Sequence, residues 1–221
     1  MHGRGAHATD MNDQSALGLI EIKSFSAALA AVDAARKAAS IQIRQIELND
    51  LYGVCIKFFG SPADVQAAMG AAEDIATQMR VDVITHQINA PDANATAAWN
   101  AKIEFNPLVE QNVVANPDPE ILKEYSVNET APFAIGMIET QGLTAVIEAI
   151  DTACKAANVE ILGREKLGGG YITVIIKGDV AAVKAAVEAG KAKVEGLGKL
   201  IAAHVIARPS ASVLALLPKV S

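Results

Sequence analysis

The sequence predicts an α+β protein made of two tandem ferredoxin-like βαββαβ units, on three observations. Gly18 to Glu21, "GLIE", returns as Gly136 to Glu139, "GMIE". The same shift of 118 positions carries Asp33 to Asp151, Lys37-Ala38-Ala39 to Lys155-Ala156-Ala157, Glu47 to Glu165, Gly60 to Gly178, His86 to His204 and Pro91 to Pro209. No insertion or deletion is needed, so the chain holds two copies of one unit. Within each copy the apolar pattern switches between alternation and helical spacing in the order strand, helix, strand, strand, helix, strand, and capping or turn residues stand at the switches.

The elements follow in chain order. Residues 1–14 have no signal-type apolar core and read as a flexible extension ahead of a natural start at Met11. The first unit takes 15–92; there Ser61-Pro62 supplies a capping hydroxyl and an N1 proline to a helix with Val65, Met69 and Ala72 on its apolar face. The connector, 93–131, is rich in Asn, Asp and Pro ("NPLVEQNVVANPDPE"). It predicts loop, with a little helix around 95–101, a strand-like patch at 108–114, and Trp99 packing it onto the first unit. The second unit takes 132–221. "FAIGMIET" is its first strand, and "TAVIEAIDTACKAAN" a helix with Val146, Ile150 and Ala153 on one face. "VEILGREK" and "YITVIIKG" are the middle strands, and Asp179 caps a helix burying Val183, Val187 and Val194. "LIAAHVIARP" is the last strand.

Composition narrows the function classes. The chain of 221 residues is 51% hydrophobic, yet its apolar residues lie in short periodic runs that fall short of the ~20 needed to cross a bilayer. A net charge of -6 with both signs interspersed offers no basic stripe for nucleic acid. Cys55 and Cys154 sit in no CxxC or Cys/His cluster and read as reduced core thiols. His86 and His204 lack acidic or cysteine partners at ligand spacing, which predicts structural hydrogen bonds and no metal. Glu21 and Glu139 occupy equivalent strands, where each satisfies nearby backbone donors. With no nucleophile–base pair in sight, the residues predict no catalytic site, and no cofactor motif is present.

Gly168, Gly169 and Gly170 stand directly before a β-prone run, "EKLGGGYITVIIKGD". Such a triplet serves a tight turn, a close approach of backbones, or a phosphate cradle. The cradle needs a helix immediately afterwards, and a strand follows instead.

The second copy resembles the bacterial microcompartment shell domain along its whole length, through "IGMIET", "AIDTACKAANVE", "KLGGGYITVIIKGDVAAVKAAVEAG" and "HVIARP", in the family's unpermuted order. The first copy resembles it more weakly, through "LGLIEI", "AVDAARKAASI", the Gly60–Pro62 junction and "THQINAP". The whole chain is similar to tandem-domain shell proteins of the single-layer type. The resemblance implies a homotrimer that mimics a hexamer and tiles edge to edge with other shell proteins, hexamers and pentamers, into the wall of a microcompartment in the cytoplasm. Small metabolites would pass its central pore.

By residue match, Gly168, Gly169 and Gly170 would line that pore from the second copy, and Asp50, Leu51 and Tyr52 from the first. Lys37, Lys155 and Arg208 match the family's tile-edge contacts, while Ala90 stands where a second arginine would be. The alternative from another class is a ferredoxin-like regulator that binds a small molecule between its units.

Overall fold

The computed structural model describes residues 15–49, 53–92, 95, 100–107, 111–125 and 129–218. The first unit runs β1 (Ala16–Ile22), α1 (Phe25–Ala38), β2 (Gln42–Asn49), β3 (Gly53–Gly60), α2 (Pro62–Met79) and β4 (Val83–Asn89). The connector supplies β5 (Phe105–Asn106), β6 (Gln111–Asn112), β7 (Val114–Ala115) and α3 (Pro119–Glu124). The second unit runs β8 (Ala134–Gln141), α4 (Leu143–Ala156), β9 (Glu160–Gly168), β10 (Tyr171–Gly178), α5 (Val180–Lys191) and β11 (Lys199–Ile206), and α6 (Ala211–Leu214) follows it.

Both units have the same antiparallel order, β4-β1-β3-β2 and β11-β8-β10-β9. Register repeats too, apart from a bulge in β11 between Leu200 and Ala202 that β4 lacks. Gly18 faces Phe58 as Gly136 faces Ile176, and β2 and β9 both carry an irregularity at the same place, after Ile43 and after Ile161. The shared glycine has a packing cause: a Cβ on Gly136 would lie 2.7 Å from methyls of Val183 and Val187, so only glycine lets α5 settle on β8.

Capping agrees with the sequence in part. Ser61 accepts from the Asp64 amide at 3.1 Å with Pro62 in the first turn, as predicted. Asp179 occupies the N-cap position of α5 but makes no side-chain cap bond, and Val194 is buried beyond the helix, which ends at Lys191. Cys154 is exposed and Cys55 half-buried, so neither is a core thiol. The connector is more ordered than a loop. β7 pairs antiparallel with β2, extending the first sheet to five strands, and β5 pairs with β6. Asn100 and Ala101 are not helical, and Trp99, with 1–14 and 108–110, lies outside the described residues.

The largest core joins the two units. Ile20, Phe25 and Leu29 of the first share it with Met137, Ile175 and Ile206 of the second. A smaller cluster, including Ile138, Ile176, Val183 and Val187, fills the space between the second sheet and its own helices. The second sheet is therefore buried on both faces, which is why Ala134 to Thr140 form an unbroken buried run in β8.

Gly136→Ala is expected to destabilise the chain by about 1–3 kcal/mol, as overpacking does. Thermal melting followed by circular dichroism checks it, with a fall of roughly 2–4 °C for each kcal/mol.

Candidate functional site

The β9–β10 hairpin turns through Gly168 (φ 84°), Gly169 (φ 57°) and Gly170 (φ 82°), all in the left-handed half of conformational space. Only glycine enters that region without strain, so the turn itself accounts for the triplet. Crowding does not account for it within one chain, because a Cβ on Gly169 would meet Tyr171 at an ordinary 3.6 Å. The tip is tied back to β8: the Gly142 amide donates to the Gly170 carbonyl at 2.9 Å, and the Gln141 side chain donates to the Gly169 carbonyl at 3.1 Å. Asp50, Leu51 and Tyr52, the matching first-unit positions, lie outside the described residues.

The second feature is the joint between the units. Helix α1 lies across the face of the second sheet that its own helices leave bare. Glu139, fully buried in β8, meets the amino end of α1. It accepts from the Ser24 hydroxyl at 2.6 Å, the Phe25 amide at 3.3 Å and the Ser26 amide at 3.0 Å, while Ser24 Oγ accepts from the Ala27 amide at 3.1 Å. Burial pushes the Glu139 pKa up and these donors oppose the rise. A helix start carries unpaired amides and a partial positive charge, so a carboxylate there answers both needs. The sequence foresaw that Glu139 serves backbone donors; it missed that they belong to the other unit. Ser24, standing before an apolar-period run, was a readable cap, but its second partner lies 115 residues away.

The far end of α1 closes the joint. Asp33 accepts from the Ser210 amide at 2.8 Å and pairs with Lys37, whose Nζ donates to the Arg208 carbonyl at 2.9 Å. The structure thus brings Lys37 and Arg208 together at the rim of the joint. Lys155 stays apart, exposed on α4 and paired with Asp151, which raises its pKa. The connector fastens the same joint from the side, where Gln111 accepts from the Lys166 amide at 3.1 Å and donates to the Lys166 carbonyl, as a pairing strand would. Gln45 holds Ala101 and Asn116 in similar fashion.

Glu139 faces Thr173, which faces Glu165, in one row across β8, β10 and β9. Thr173 Oγ1 and Glu165 Oε1 are buried with no hydrogen-bond partner among the described residues, and burial raises the Glu165 pKa to about 7 against a bond from the Lys166 amide. The first unit repeats the row as Glu21, Cys55 and Glu47, with Lys57 paired to Glu47 at 2.6 Å. Burial, then Glu21, lifts the Cys55 thiol to about 11, which keeps it protonated and inert. His86 is exposed and His204 half-buried with its pKa lowered by burial. The hydrogen bonds expected of them do not form among the described residues, nor does any group of three metal-ligating side chains.

The BMC domain, the bacterial microcompartment shell domain, matches residues 16–91 and again 134–209. The chain belongs to this family and carries its domain twice. Among its relatives is the bacterial microcompartment shell protein PduA of Citrobacter freundii, 55% identical over 86 residues, which are 39% of this chain and 92% of that one. The carboxysome shell protein CsoS1 of Prochlorococcus marinus is 55% identical over 83 residues, 37% of this chain and 81% of the relative. The shell protein EutM of Salmonella typhimurium is 53% identical over 76 residues, 34% and 79%. A crystal structure of a microcompartment protein from Desulfitobacterium hafniense covers 89% of this chain and 95% of its own at 25% identity, with a TM-score of 0.33. This is a tandem-domain microcompartment shell protein, and membership in the family gives it a structural, non-catalytic role.

Glu165 makes the pH dependence readable. Its folded pKa is raised, so its contribution to stability is full below about pH 4.5 and is lost as pH climbs through about 7. Glu165→Gln is therefore expected to raise the melting temperature at pH 8, by on the order of 2–3 kcal/mol of stability, and to do little at pH 4. Melting curves of both proteins across that range check the sign.

Proposed function

We propose that three copies of this chain close head to tail into a ring of six BMC domains, and that the ring is a wall tile of a bacterial microcompartment in the cytoplasm. The joint inside the chain carries the reading. It presses the helix side of the first unit on the sheet side of the second, so the two contacting patches differ. Contacts between unlike patches of like units propagate around a rotation axis and generate rings. The glycine hairpin of the second unit, with Asp50, Leu51 and Tyr52 of the first, then lines the axial pore, so that bare backbone alternates with bulkier side chains. Small metabolites cross there, and no bond is made or broken. Lys37, Lys155 and Arg208 lie on the outer edge, where hexameric and pentameric shell proteins adjoin.

Light scattering is expected to give the mass of three chains, and negative-stain microscopy hexagonally packed layers. A monomer or dimer that binds a metabolite saturably would instead establish the regulator.

Two variants separate the roles. Lys155→Glu should abolish layers and leave trimers intact. Gly169→Asn, after glycine the residue that left-handed backbone tolerates best, should keep trimers while slowing passage of small solutes into assembled shells. Loss of the trimer in Gly169→Asn would show that the hairpin serves packing and not permeation.

A further inference from the structure

Both units contain the same row of three side chains, and each balances its charge in a different way. In the first unit the row is Glu21, Cys55 and Glu47, all half-buried, and Lys57 neutralises Glu47 with its Nζ at 2.6 Å. A shift of 118 positions turns Lys57 into Ile175, which is fully buried in the joint. The row in the second unit, Glu139, Thr173 and Glu165, thus has two carboxyl groups and no lysine. It is also the deeper of the two, with Glu139 and Thr173 0% exposed and Glu165 9%. A carboxyl group buried without a counter-charge avoids the cost by taking up a proton.

The charged groups of the elements around Glu165 are engaged elsewhere. Strand alternation turns its neighbours Arg164 and Lys166 to the other face of β9. On β2, which touches β9, Arg44 is bonded to Asn100 and Glu47 to Lys57. Helix α1 has no charged residue before Asp33 and presents Ser24 and Ser26 to Glu139, while Lys23 ahead of it pairs with Asp82. The connector offers Gln111 to the main chain of Lys166. Burial works against charge on both acids of the row. Glu139 has the Ser24 hydroxyl, two amides and a helix start in support, and Glu165 a single amide, so Glu165 is the acid that holds a proton, up to about pH 7.

A count of hydrogens agrees. Three side chains in a row leave two gaps, and each gap needs one hydrogen. Two ionised acids supply none and Thr173 supplies one; a protonated Glu165 supplies the second. Facing side chains across antiparallel strands stand about 4.5–5.5 Å apart at Cβ, so rotation of Thr173 and Glu165 closes both gaps. It also gives partners to Thr173 Oγ1 and Glu165, whose Oε1 otherwise has none among the described residues. We infer that Glu165 stores a proton in the joint between the units: its carboxyl group donates to Thr173 Oγ1, the Thr173 hydroxyl donates to Glu139, and the relay locks β9 in place until that proton passes to solvent. Once it leaves, one hydroxyl hydrogen serves two carboxylates. Glu165 then keeps its charge by reaching water, which frees the end of β9 beside the Gly168 turn. The joint is tight in acid and looser in alkali. This device lies inside one chain and stands whether or not a ring forms.

Infrared difference spectroscopy of the full chain tests it. The carbonyl stretch of a protonated carboxylic acid is expected to vanish with a midpoint near pH 7 and to be missing from Glu165→Gln, whose amide keeps the donor and cannot titrate. A wild type without that band in mild acid, or a band that survives at full size in Glu165→Gln, overturns the stored proton. Thr173→Val then reads the direction of the bond. It removes the acceptor of the neutral acid, so the midpoint should fall by roughly half a unit to one unit, while Thr173→Ser should keep the wild-type midpoint. A midpoint that rises in Thr173→Val shows the hydroxyl donating to the Glu165 carboxylate, and an unchanged one shows Glu165 bonded to trapped water; either overturns the relay. Amide exchange at Lys166 and Leu167 should climb more steeply above about pH 7 in the wild type than in Glu165→Gln. Equal slopes overturn the lock.

Discussion

A carboxylate taken out of water and set against the first turn of a helix from another unit fixes the geometry of this molecule. Glu139 sits between β8 and α1 with the Ser24 hydroxyl and the Phe25 and Ser26 amides around it. Desolvation works against its charge, and the three donors and the helix start work for it. Removing the donors would strand a buried acid and removing the acid would strand amides, so each half of the contact holds the other in register. The apolar surface around it supplies most of the free energy. The carboxylate decides where that surface lands.

The consequences run outward from that point. With α1 pinned, Leu29 and Phe25 meet Met137 and Ile206, and the sheet of the second unit acquires a covering on the face opposite its own helices. The alanine-rich sequence of α1, "FSAALAAVDAARKA", suits a helix packed on two sides, since small side chains let backbone come near on both. Helix α4 leaves Leu143 and Ile147 exposed at the places where α1 buries Phe25 and Leu29. Beside the joint, the connector ties the pair by imitating strands. β7 adds main chain to β2, and Gln111 offers an amide side chain where Lys166 would otherwise meet a neighbouring peptide.

Much of the architecture was legible because it is periodic. Strand alternation in "YITVIIKG" and the Ser61-Pro62 start located β10 and the beginning of α2 to the residue, and the ungapped shift predicted two copies of one unit, which the two sheets of the same strand order match. What escaped the sequence was contact between distant residues. Nothing local to Glu139 names Ser24, and nothing in "NPLVEQNVVANPDPE" says that Gln111 will stand in for a strand. Asp179 shows the opposite failure, a residue of the right type at the right place whose side chain makes no cap bond. For the glycine triplet the sequence offered a tight turn among three causes without choosing it, and the backbone angles of the turn demand glycine whatever gathers around the tip.

The strand that the connector lays along β2 has a meaning for life at high concentration. An uncovered sheet margin is a template on which another molecule can grow amyloid-like stacks, and proteins destined for dense lattices meet copies of themselves constantly. With Val113 to Ala115 occupying part of that margin and Gln45 engaged to Ala101 and Asn116 beside it, the first sheet is closed to such templating there as soon as the connector has been synthesised and folded back. The connector thus blocks strand addition along that part of β2.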